Sequence, residues 1–305
     1  MAQEIAPPTP NQMDPGTPLA ADAPQLGVAA RIAKFPPLVL TSLTFIFLVL
    51  FVFVAAPLLA PYHYTTQDLL NRLKPPAFLG GPAQYIFGTD ELGRDILSRL
   101  MYGIRFSMFV AILATIIGAV LGSFLGFVAS HLRGWVEESI MTLVDVQASL
   151  PFMVIALAVL AFFSNSFILF IAVLGINGWE NYARLTRGMV LQAMGHGYAV
   201  AVRSLGMTPL RLYARHILPN IASALIVQFT LNFPQTILLE TSLSFLGLGI
   251  QPPLTSLGQM LGAGRAHLLL AWWIALFPGF TIVLITLSIS IIGDWLRDRL
   301  DPTLR

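Results

Sequence analysis

Fifteen acids, five histidines and no cysteine are the side chains from which a catalytic or metal site could be built. His63, His131, His196, His216 and His267 are dispersed, and no H-E-x-x-H occurs to hold a zinc ion. No G-x-S-x-G elbow presents a nucleophilic serine. The lack of cysteine removes disulfides, thiolate ligands and cysteine nucleophiles. No G-x-x-x-x-G-K-[ST] loop is present to cradle phosphates, nor any Gly-Lys pair. Glu137 and Glu138 are adjacent carboxylates in a short turn, where a solvated face explains them. By its own chemistry the chain is a conduit and not an enzyme. It carries no metal site and no cofactor, and its energy must come from an ion gradient or another subunit.

The remaining chemistry lies in polar residues set into apolar runs: Asp145, Gln147, Asn232, Gln235 and Glu240. Charge at membrane depth is costly, so such groups face protein or water and are candidates to line a pathway or gate. Asp145 has a structural alternative, an ion pair with a nearby arginine. Glu240 has another, a negative charge at the N-terminus of the following helical segment. Asp90 can cap a helix starting near Glu91, and Arg94, Arg99 and Arg105 can pair with the acids around it or with a delivery protein. Gly118, Gly122 and Gly126 form a small-residue ridge that lets helices approach closely, within the chain or against a partner.

The elements that must position these residues follow from composition. The chain is 56% hydrophobic and 10% charged, with a mean hydropathy of +0.77, against about 25% charged residues in soluble domains. A span needs roughly 20 apolar residues. Six are predicted: 34–58, closed by Pro57 and Pro61; 106–130; 139–163, interrupted by Asp145 and Pro151; a short one over Phe167–Ile176; 218–239; and 271–293. Pro234 and Pro278 are expected kinks, and Trp272 and Trp273 fit an interfacial belt. The fold expected is all-α, an integral membrane protein with six transmembrane helices. Residues 1–33 read as a proline-rich disordered tail, 59–102 as an extracytoplasmic segment, 103–297 as a five-helix core and 298–305 as a C-terminal tail. Arg31 and Lys34 precede the first span, which sets both termini in the cytoplasm by the positive-inside rule. A net charge of +2 without a basic run gives no nucleic-acid surface; the partner surface is the lipid bilayer.

Between the fourth and fifth spans, residues 195–216 are long for a turn. Tyr198–Leu205 has helical spacing, Gly206 fits a helix C-cap, and Pro209 suits the first turn of a second short helix. The result is a helix–Gly–helix knob. Its pattern, Tyr198, Ala201, Arg203 and Gly206 followed by Pro209, Arg215, His216, Ile217, Leu218, Pro219 and Asn220, resembles the EAA loop of permease subunits of binding-protein-dependent ABC importers. Further motifs resemble the C-type subunit of the dipeptide/oligopeptide/nickel branch: GTDELGRDILSR at 88–99, Asp145 with Pro151, Trp179 with Tyr182, Ala183, Arg184 and Arg187, ETSLSFLGLG at 240–249, and the closing GDWLRDRLDPTLR. One position departs, with Val200 where that loop carries its glutamate.

The resemblance implies half of a translocation pathway for di- or oligopeptides in the bacterial inner membrane, with nickel or another small solute as the alternative. It implies a heterodimer with a B-type permease subunit, two ABC ATPase subunits that hold ATP and Mg²⁺ and grip the 195–216 loop, and an extracytoplasmic solute-binding protein. A proton- or sodium-coupled secondary transporter is the rival of another class. It would need a relay of intramembrane ionisable residues, for which only Asp145 and Glu240 qualify.

Overall fold

Backbone buried in lipid must satisfy its own hydrogen bonds, and within one segment only a helix does so. The computed structural model describes residues 36–163, 166–195 and 208–300. These residues are helical throughout, apart from turns and one isolated bridge between Thr89 and Asp95. Helix α1 spans Pro37–Leu59. Its buried residues Val39, Ser42, Val49 and Ala56 recur at threes and sevens, a narrow stripe flanked by half-buried Phe45, Ile46, Val52 and Phe53. Pro57 does not close it, contrary to expectation, and the helix runs on to Leu59. A proline so near the end removes one hydrogen bond while its own φ stays helical.

Residues 60–95 fold into turns, with 3-10 stretches at Leu69–Asn71 and Ala77–Leu79. Helix α2 then runs over Ile96–Leu132, starting ten residues before the apolar run that announced it. Asp95, and not Asp90, caps it by accepting from the Ser98 amide at 2.8 Å. Asp90 closes the preceding turn instead, accepting from the amides of Leu92 and Arg94 at 2.8 and 2.9 Å.

The predicted third span is two helices, α3 (Gly134–Ser149) and α4 (Phe152–Phe162), bent by 89°. Asp145 does not interrupt it; the break falls at Leu150–Pro151, where proline disfavours helical backbone in the residue before it. Helix α5, Phe167–Gly175, has nine residues and is about 13 Å long, well short of a bilayer core. Gly178, at φ +81°, turns the chain into α6, Trp179–Met194.

After Thr208 come a short turn of helix, α7 (Pro209–Leu212), a π turn over Tyr213–Ile217, and α8 (Leu218–Phe245). The expected fifth span is therefore part of one continuous rod from Tyr213 to Phe245. The π turn has a local cause, since the ring of Pro219 would clash with the carbonyl of Arg215 in a regular helix and a wider turn relieves this. Helices α9 (Leu257–Gly264) and α10 (Trp273–Leu300) complete the described chain. Among the described residues four helices are long and apolar enough to cross a membrane, or five if the bent α3–α4 pair counts as one span; this is a multi-pass membrane protein.

α2 is the central rod, and its most extensive contact is with α6. A methyl at Gly122 would collide with the Trp179 carbonyl and Tyr182 Cβ, and one at Gly126 would lie 2.6 Å from the Ala183 carbonyl. The glycine ridge thus packs inside the chain, backbone against backbone, where dispersion forces rather than water expulsion hold helices together.

Candidate functional site

Tyr198, Ala201, Arg203 and Gly206 lie outside the described residues; the second half of the knob can be followed. Pro209 opens α7, and the Leu212 amide bonds back to the Thr208 carbonyl at 3.0 Å. Leu212, Ile217 and Ile221 are buried with Val190 and Ala193 of α6, against Phe127 of α2. Tyr213 packs its ring edge-on to Phe127 and places its hydroxyl 3.1 Å from His131 Nδ1. Arg211, Arg215, Leu218, Pro219 and Asn220 are exposed, and His216 is half-buried. This second half of the knob therefore presents a polar, basic outer face while its apolar face joins it to α2, α6 and α8 together. Tyr213 and His131 gave no sequence signal, because their 82-residue separation carries no periodicity.

The five polar pathway candidates do not converge on one cavity. Asp145 pairs with Arg184 at 3.2 Å, both largely exposed, and Arg187 pairs with Glu137 at 2.5 Å alongside it. The two bridges tie α3 to α6. Gln147 donates to the Ile176 carbonyl at 3.1 Å, fixing α3 to the end of α5. Asn232 is 1% exposed, with its amide lying against Gly178, where a Cβ would come within 2.5 Å of Nδ2. Glu240 is fully buried inside α8, not at the head of a helix. The helix that follows is capped by Ser256, whose hydroxyl accepts from the Gln259 amide at 3.1 Å. Ser244 donates to Glu240 Oε1 at 2.8 Å, and the hydroxyls of Ser107 and Ser256 reach the same carboxyl. Glu240 thus joins α8, α2 and the start of α9.

Gln235 is exposed, and Gln228 lies two turns before it on the same face of α8. That face borders a groove of about 400 Å³ walled by Met189, Ser223, Val227, Gln228 and Arg297.

At the opposite end of α2 the 60–95 segment is bolted to the helix heads. Asp90 and Arg99 are 0% and 2% exposed and joined at 2.5 Å, and Arg94 Nε reaches the same carboxylate at 2.7 Å. Trp273 is buried, not belt-like: its indole donates to the Thr89 carbonyl at 3.1 Å. Trp272 is the exposed member of the pair. Asp68 accepts from Asn71, Tyr85 and the Leu70 amide. Those donations, Asn71 foremost, hold its carboxyl below the ordinary 3.8. Burial pushes the Asp95 carboxyl the other way, above 3.8, against the donations from Ser98. Among the described residues no group of three or more metal-binding side chains occurs.

A family described as binding-protein-dependent transport system inner membrane component matches residues 118–305, and the N-terminal TM domain of oligopeptide transport permease C matches residues 31–76. The di/tripeptide transport system permease protein DppC of Pseudomonas aeruginosa is 40% identical over 87% of this chain and 88% of its own. The dipeptide transport system permease protein DppC of Bacillus subtilis is 38% identical over 85% and 81%. Among solved structures, an inward-facing MetNI methionine ABC transporter superposes with a TM-score of 0.56 at 17% identity, covering 68% of this chain and 98% of that one. At that identity the last match speaks for the fold alone.

Proposed function

Since the chain belongs to the family of binding-protein-dependent transport system inner membrane components, we propose that it is the C-type permease subunit of an ATP-driven peptide importer. The observation that carries the substrate class is the likeness to di/tripeptide and dipeptide permeases along nearly the whole chain. The chain supplies no hydrolytic chemistry of its own. ATP and Mg²⁺ belong to two partner ATPase subunits on the cytoplasmic side, a B-type permease completes the pathway, and a solute-binding protein delivers from the other side. The bacterial inner membrane is the setting, with six spans and both termini in the cytoplasm. α5 and the start of α6 make up the fourth span, shielded by α2 and by the missing half of the complex.

The mechanism follows from what the knob touches. Closure of the ATPases on ATP displaces the 195–216 loop, and the buried seam of Leu212, Ile217 and Tyr213 passes that displacement to α2, α6 and α8. ATP shifts the inward–outward equilibrium only through contacts that differ between the two states, and the exposed basic face of the knob is where we place them. The α8 face with Gln228 and Gln235 is the pathway wall, and Glu240 is the latch that keeps the far end of α8 in register with α2 and α9.

Uptake of a radiolabelled dipeptide into proteoliposomes bearing the four membrane-associated subunits tests this. Uptake should require the binding protein and ATP together. Uptake that continues without ATP and follows an imposed proton gradient would overturn the proposal in favour of secondary transport.

A further inference from the structure

Arg105 lies on α2 about 15 Å along the helix from its Asp95 cap, where the uncharged run of the span begins. The neighbouring Arg94 and Arg99 both end on Asp90, whereas Arg105 has no ion-pair or hydrogen-bond partner among the described residues. It is half-buried in a pocket of about 440 Å³ between α1, α2 and α5, whose other walls include Phe53, Val54, Phe106, Phe109 and Phe167. The volume falls in the range of ligand sites, roughly 300–1,000 Å³. Val54 and Phe109 are 73% and 45% exposed, so the pocket opens sideways, on the flank of α1 and α2.

An occupant that neutralises this cation must bring an anion on an apolar body and must enter from the bilayer. We propose that the pocket is a binding site for an anionic phospholipid, its phosphate on the Arg105 guanidinium and one acyl chain over the phenylalanines. A planar guanidinium donates two parallel hydrogen bonds to a phosphate and is the cation best suited to it. No acidic side chain lines the pocket. The ammonium of a zwitterionic headgroup would find no partner there, and this selects a headgroup of net negative charge. The bound lipid then bridges α1, which buries only a narrow stripe against the rest of the chain, to α2 and α5.

The test uses the assembled transporter in nanodiscs of mixed phosphatidylglycerol and phosphatidylcholine, with the phospholipid retained after purification counted by mass spectrometry. Wild type retains phosphatidylglycerol in excess. Arg105→Gln lowers that excess about tenfold, the loss of one charge-assisted pair. Val54→Trp, which fills the groove and leaves the arginine, lowers total retained lipid. Arg299→Gln, exposed at the far end of α10 and outside both hollows, changes neither. The proposal is overturned if Arg105→Gln retains wild-type phosphatidylglycerol, or if Arg299→Gln loses as much. It also fails if Val54→Trp retains lipid unchanged, since no chain then occupies the groove. Co-elution of all subunits shows that each variant is assembled.

Discussion

Burial decides what each charged residue is worth here. Asp90 and Arg99 lie out of water, so removing one strands the other. Asp90→Ala should cost about 3–5 kcal/mol, read as loss of the assembled complex on heating, whereas Asp145→Asn should cost less than about 1 kcal/mol because its bridge to Arg184 is solvent-screened. Equal losses would refute this ranking. Asp95 gives a pH signature. Its folded carboxyl titrates above its unfolded one, so the folded state binds protons more tightly and stability rises as pH falls through that window toward 3.8. Asp95→Asn keeps a good cap without the charge and should flatten the slope; an unchanged slope would place the proton elsewhere. Gly122→Ala pushes a methyl into the Trp179 carbonyl and should lower melting temperature, while Gly188→Ala meets nothing within 4 Å and should not.

Helices were legible where apolar runs or prolines mark them, and much less where a helix begins in polar sequence. The spacing of Gly118, Gly122 and Gly126 announced a close approach but not which helix would make it. α2 starts ten residues early because an N-cap, and not hydropathy, sets its beginning. Asp90 and Asp95 both precede possible helices, and local sequence does not decide between them. Glu240 and Trp273 were misplaced for one reason: their partners, Ser107 and Thr89, lie more than a hundred residues away. The wide turn at Tyr213–Ile217 is traceable to Pro219. Pro219→Ala lets Tyr213–Ile217 relax to a regular helix, rotating α7 against α8. ATP hydrolysis by the complex should persist while dipeptide uptake per ATP falls several-fold. Unaltered stoichiometry would show that the wide turn plays no part in coupling.

For the whole molecule, the family follows from many motifs in order, whereas the six-span count does not follow from helix lengths. α5 is too short and α3–α4 too bent to pass as simple spans, and neighbours must shield what lipid cannot satisfy. Restoring charge to the knob bears on this scale. Val200→Glu, which returns the carboxylate expected from the resemblance, should strengthen ATPase retention during purification with little change in the chain's own stability; weaker retention would mean that the partner has adapted to valine.

The clamp of Asp90 on Arg99, with Trp273 on Thr89, leaves the 60–95 segment no play against the heads of α2 and α10. Any tilt of those rods carries the segment with it as a rigid cap. Thermodynamic reciprocity then runs in both directions. A protein that grips the cap more firmly in one tilt than the other must, by the same free energy, alter the grip about 35 residues down the rod, where His131 meets Tyr213. Cargo on one face of the membrane can thereby license fuel use on the other, with no messenger beyond the stiffness of a helix.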